Sequence, residues 1–118
     1  MTEPERRILE ILRNRLGAER LDGAIVYLAQ EPLRADASAE MGDVTLVAPW
    51  DSCVAFADLE PGVNWGHACR YFLIGEDSEA VCEFAAQMPP FLKPDGPAFR
   101  LLHRGPLAPQ WAVAAGME

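Results

Sequence analysis

The stretch NWGHACRY, residues 64 to 71, sets an amide, an indole, an imidazole, a thiol, a guanidinium and a phenol within eight positions. If the segment is extended, the two-residue period puts His67, Cys69 and Tyr71 on one face and Arg70 on the other with Phe72. Upstream, Asp58 is followed by the turn residues Glu60-Pro61-Gly62, a connection short enough to bring His67 back beside it. A carboxylate against an imidazole fixes the ring tautomer and raises its basicity.

Three chemistries fit these residue types. Nucleophilic catalysis would use Cys69 as nucleophile, His67 as base, and Asp58 or Asn64 as the group that orients the base. Its difficulty is geometric, since same-face neighbours on a strand sit about 6.5–7 Å apart, and closing that gap requires a bulge such as Gly66 could supply. Nor does a helix N-terminus lie beside Cys69 to stabilise a thiolate. A zinc site would combine His67, Cys69 and Cys82 with Cys53 or His103, but CxxC-like spacing is absent. The third chemistry is recognition. Trp, Tyr and Arg dominate binding hot spots, and the candidate contact residues are Trp50, Asp58, Asn64, Trp65, His67, Arg70 and Tyr71, with Trp50 contributed by the turn at Pro49-Trp50-Asp51-Ser52.

Against these stands a purely architectural role. Trp65 then fills a corner of the core, Asn64 caps a turn, and Gly62 and Gly66 supply unusual backbone angles. His67 hydrogen-bonds Asp58, Cys69 is buried, and Arg70 pairs with a surface acid. Elsewhere, His103 is a lone histidine beside arginines, and Glu76, Asp77 and Glu79 form a charged turn tip rather than a cleft. Phosphate loops, dinucleotide glycine patterns and serine-nucleophile elbows are missing. The sequence therefore implies no cofactor and no metal.

The elements that must position this segment are legible in part. Thr2 and Glu5 have capping-box spacing, Pro4 suits a first helical turn, and Ile8, Leu9, Leu12 and Leu16 form one apolar stripe that Gly17 ends. This predicts an amphipathic helix of about 14 residues. Residues 23–29, GAIVYLA, read as a strand, and residues 43–59 as two strands around the turn at 49–52. HACRYFLIG predicts another strand. AVCEFAAQM alternates as a strand does, although its alanines also suit a helix. MPPFLKPDGP is a proline-broken crossing, and AFRLLHR predicts a last strand. Residues 31–42 read as an exposed loop, and residues 105–118 as a tail anchored by Trp111.

The expected fold is a single α+β domain over residues 1–118. It is a mainly antiparallel sheet of about five strands with the N-terminal helix packed on it. VTLVAP, CVAFA and YFLI are apolar at nearly every position, as in strands buried on both faces. One helix covers only part of one face, so the sequence implies further cover from the tail, a partner or a second copy.

The chain carries a net charge of −8. From Asp22 to Asp95 there are thirteen acids against only Arg34, Arg70 and Lys93, a field that repels nucleic-acid backbones. Three cysteines without a pairing pattern point to a reducing compartment. No apolar run approaches the roughly 20 residues of a membrane span, and MTEPERRILEIL lacks signal-peptide features. The expectation is a small acidic, cytoplasmic, non-enzymatic interaction protein: a regulator, inhibitor or accessory subunit. It would present the 58–71 hairpin or a sheet face to a protein partner, or to a second copy as a homodimer. The alternative is a small cysteine–histidine enzyme using Cys69 and His67.

Overall fold

The computed structural model describes residues 1–92 and 96–117. Helix α1 spans Glu3–Leu16 and opens with the expected capping box: the Glu5 amide donates to the Thr2 hydroxyl at 3.3 Å, and the Thr2 amide donates to the Glu5 carboxylate at 2.8 Å. Glu5 also meets Arg100 at 2.6 Å, and together these partners hold its carboxyl at about 2. Gly17, at φ 89°, ends the helix and starts the short α2, Ala18–Asp22. The stripe Ile8, Leu9, Leu12 and Leu16 is buried, each side chain contributing roughly 1.5–3 kcal/mol by leaving water.

The main sheet has five strands, all antiparallel. They are β1 (Ile25–Ala29), β4 (Ser52–Asp58), β5 (Cys69–Gly75), β6 (Val81–Ala86) and β7 (Phe99–Arg104), in the order β6-β5-β4-β1-β7. The α+β architecture with an N-terminal helix across an antiparallel sheet is therefore as the sequence implies. The alternating segment at 80–88 is the strand β6. Alanine's helical preference loses there to cross-strand pairing with β5, which runs unbroken from Cys69 against Ala86 to Ile74 against Val81.

A second, two-stranded sheet was not foreseen. It joins β2 (Ser38–Met41) to β3 (Val44–Val47) around Gly42 and Asp43. It occupies part of the stretch read as an exposed loop over 31–42, and Leu33 bridges to Ser52 ahead of it. VTLVAP is accordingly not a strand buried on both faces, since Val47 is 56% exposed. CVAFA and YFLI do lie at the centre of the molecule, with Ala55, Ala57, Phe72 and Ile74 towards the helix and Val54, Phe56, Tyr71 and Leu73 on the other face.

That other face is roofed by the chain itself. Met41, Leu46 and Ala48 of the small hairpin, Trp65 and Phe91 of the connections, and Ala108 and Val113 of the tail all pack onto it. The further cover implied by the sequence thus comes from the chain itself: from the tail, one of the expected sources, and from the β2–β3 hairpin and the connections, which were not among them. One helix and its short extension shelter one face, and these segments shelter the other. The tail is held by Val113 and by the Ala114 amide, which donates to the Tyr27 hydroxyl at 2.9 Å. Trp111 is not its buried anchor, being 76% exposed.

The hairpin is latched at its tip. The Asp43 carboxylate accepts from the Gln87 and Met88 amides at 3.2 Å each. Gly42, at φ 58°, leaves no room for a side chain, because a Cβ there would lie 2.4 Å from the Met88 carbonyl oxygen. No helix among the described residues is long and apolar enough to cross a membrane.

Candidate functional site

The connection from β4 to β5, residues 59–68, closes on itself through side chains at its two ends. Asp58, the last residue of β4, is buried, and its Oδ1 accepts from the Glu60 amide at 3.1 Å. His67 lies two residues before β5 rather than on the strand, so it does not share a strand face with Cys69 and Tyr71. Its ring turns inward instead, with Nε2 2.7 Å from Asp58 Oδ1 and Nδ1 2.9 Å from the Asn64 carbonyl oxygen. Glu60 ties the far side by accepting from the Ala68 amide at 3.2 Å, and the Gly66 amide donates to the Gln87 carbonyl at 3.1 Å.

These partners fix the protons of the ring. A carbonyl oxygen only accepts, so Nδ1 carries a hydrogen. Nε2 faces a carboxylate oxygen at a distance that requires a proton between them. Both nitrogens of His67 are therefore engaged, and the imidazole has no lone pair to offer as base or ligand. Burial works against charge on both groups. It pushes the Asp58 carboxyl up, and its opposing effect on His67 is outweighed by the hydrogen bonds to Asn64 and Asp58, so that the ring too holds its proton more tightly than a free histidine. The two groups titrate as one unit that keeps its shared proton. Trp65 lies flat on the ring, with centroids 4.3 Å apart and planes at 16°, and its other contacts reach Phe56 and Phe91 in the core. A protonated imidazole gains further from that indole face.

Cys69 begins β5 beneath this loop. Burial, reinforced by the charges of Asp43 and Asp58, pushes its thiol up to about 12, and the S–H points at the Met88 carbonyl at 3.7 Å. A thiol raised in this way stays protonated at neutral pH, and both His67 nitrogens are already engaged elsewhere. The Cys69 thiol meets Met88 rather than His67, so the nucleophile–base hydrogen bond of a cysteine–histidine mechanism is not formed among the described residues. Cys53 packs on the helix face of the sheet, whereas Cys69 and Cys82 pack on the other. The zinc grouping considered from the sequence is thus split by the sheet itself. Among the described residues no three His, Cys, Asp or Glu side chains gather as a metal would need.

The candidate contact residues fall into separate places. Asp58, Trp65 and His67 come together as the internal brace just described. Tyr71 is buried on β5, donating its hydroxyl proton to the Met88 carbonyl at 2.8 Å. Arg70 does point to the opposite face, where it pairs with Glu83 at 3.2 Å. Trp50 precedes β4 while Asp58 ends it, so the two lie at opposite ends of that strand and Trp50 does not join the loop. Asn64 is exposed, and it is its backbone carbonyl rather than its side chain that closes the turn.

Val63, not singled out from the sequence, and Trp111, expected there only as the buried anchor of the tail, complete the outer surface. Val63, at the loop apex, is 53% exposed. The ring of Trp111 rests on Gly62, whose φ is 92°, and a Cβ on that glycine would lie 2.8 Å from the indole. The signal for Trp111 was its isolation: one large aromatic residue in a proline-, alanine- and glycine-rich tail without apolar period. Beside the loop lies an open depression of about 760 Å³ that reaches His67 and Cys69, with Arg20 and Arg70 on its walls alongside Asp43 and Glu60. Its opposed charges neutralise each other and give it no field of one sign.

No family model matches the chain, and no curated protein or solved structure is significantly similar to it.

Proposed function

We propose that this chain is a small acidic interaction protein, a regulator, inhibitor or accessory subunit, that meets a protein partner through the outer surface of its 58–71 hairpin. One observation carries the reading. Trp111 is left 76% exposed on a glycine of a loop that is itself braced by a buried pair. An indole of that size in water is a standing cost of roughly 1.5–3 kcal/mol, which a partner would recover. A rigid support lowers the entropy lost on binding. Val63 and Asn64 extend the same loop, giving an apolar centre with a polar neighbour, the composition of a hot spot.

In this reading Asp58, Trp65 and His67 hold the surface up and do not touch the partner. The sheet face is withdrawn as a contact surface, because the chain's own loops cover it. The net charge of −8 favours a cationic partner and disfavours nucleic acid. A cytoplasmic setting belongs to the same proposal and accords with three unpaired cysteines.

Affinity capture with the wild-type chain, Trp111→Ala and Val63→Glu tests it. The expected result is a protein retained by the wild type and lost from both variants, whose melting temperatures stay within a few degrees of wild type. Recovery of the same proteins by all three chains would overturn it.

A further inference from the structure

The five-stranded sheet has two open edges, and the chain treats them differently. Along β7 the pairing with β1 slips between Val26 and Tyr27, and the strand carries Arg100, His103 and Arg104. A bulge and positive charge are the usual means of keeping an edge unpaired. The β6 edge, Val81–Ala86, has none of these. Its sequence is VCEFAA, its register with β5 is regular, and among the described residues it has no second strand neighbour. Its one charged residue, Glu83, points onto the helix face, where it pairs with Arg70 at 3.2 Å and Arg15 at 3.3 Å. On the other face Cys82 and Phe84 are left only partly buried.

We propose that β6 is the self-association site of this protein, pairing antiparallel with β6 of a second copy about a two-fold axis normal to the sheet. The side chains favour that occupant. When both copies keep their helices on the same side, directly opposed residues must belong to the same face, so the axis passes midway between one residue and its own copy. Only Glu83 and Phe84 are central enough to use the whole strand. Centring on Glu83 sets two carboxylates against each other. Centring on Phe84 sets Phe84 against Phe84, Cys82 against Ala86, and Glu83 against Ala85, with no like charges opposed. The pairing joins two five-stranded sheets into one of ten and covers the exposed flanks of Phe84 and Cys82. It is isologous, so it closes at a dimer and does not propagate. Because each copy carries −8, the dimer tightens as salt screens the repulsion.

The test is sedimentation velocity over a concentration series at low and high salt, using the wild type, Ala85→Glu and Ala85→Lys. Ala85 is exposed, so neither substitution disturbs the core. In the Phe84-centred register, Ala85→Glu sets a carboxylate against Glu83 of the second copy at two symmetric places, and Ala85→Lys sets an ammonium there. The expected result is a wild-type dimer that is stronger at high salt, about tenfold weaker in Ala85→Glu, and retained in Ala85→Lys. A wild type that stays monomeric up to millimolar concentration would overturn the proposal. So would a dimer to which the two substitutions make no difference, or one weakened equally by both. Trp111→Ala, which removes the hairpin surface, should leave the dimer intact, so failure here and failure of the hairpin reading are separately visible.

Discussion

His67 Nε2 stands 2.7 Å from Asp58 Oδ1, while Nδ1 of the same ring donates to the Asn64 carbonyl at 2.9 Å. The histidine that looked most like a base in the sequence is thus a strut. It ties the end of β4 to the middle of the loop that follows, and the indole of Trp65 lies over it. Both of its ring nitrogens are engaged inside the protein, and the loop it braces exposes Val63 and Asn64.

The brace has a pH signature. The folded pair holds its proton above the ordinary histidine value of 6.5, so its contribution is fully present below about pH 6.5 and is lost as pH rises through the higher folded value. Raised Asp58 acts in the same sense, since proton release costs the folded state more than the unfolded one. Thermal unfolding between pH 6 and 9 should show a fall in melting temperature towards alkali. Asp58→Asn, whose amide can donate to a neutral Nε2, should flatten that slope.

His103 has the opposite sign. Among the described residues its buried Nε2 has no hydrogen-bond partner, and burial lowers its proton affinity below 6.5. Stability should therefore fall as pH drops from 6.5 through the depressed value. His103→Phe removes an orphaned acceptor and should raise stability by about 1 kcal/mol in denaturant titrations. The ring's hydrogen bond to the Leu21 backbone is lost in that variant, but the Leu21 carbonyl keeps the Ala24 amide as donor at 3.2 Å.

Much of this architecture was readable in the sequence, and the exceptions have a common cause. The capping box, the α1 stripe and the runs CVAFA and YFLI are local patterns, each decided within one element. The β2–β3 hairpin was missed because Ser38–Met41 is short and polar, with only Met41 buried. Its position is set by contacts more than forty residues away, Asp43 on Gln87 and Gly42 against Met88. His67 was misplaced onto a strand face because spacing cannot reveal where a strand begins. Trp111 was expected inside, since burial is the ordinary fate of an indole. The opposition of Asp58 and His67 was foreseen because a short turn joins them.

The hairpin latch should be sensitive to small changes. Asp43→Ala frees the Gln87 and Met88 amides and should cost about 1–2 kcal/mol. Gly42→Ala combines a left-handed backbone with a direct clash on Met88 and should cost more, about 2–4 kcal/mol. Chemical denaturation of both variants measures the order.

Thiol reactivity should separate the cysteines. With its thiol near 12 and its side chain buried, Cys69 should resist alkylation of the native protein at pH 8, whereas half-buried Cys82 should label first. Mass-spectrometric mapping of the modified residue checks this. Rapid labelling of Cys69 at neutral pH would return it to the list of nucleophiles.

The central claim is that His67 supports the loop and does no chemistry of its own. Nitrogen NMR of its imidazole, followed from pH 5 to 9, reads this directly. The account predicts a proton on Nδ1 throughout and a ring that releases its other proton only above 6.5. A ring found as the Nε2–H tautomer with Nδ1 bare at neutral pH, or one titrating below 6.5, would contradict it.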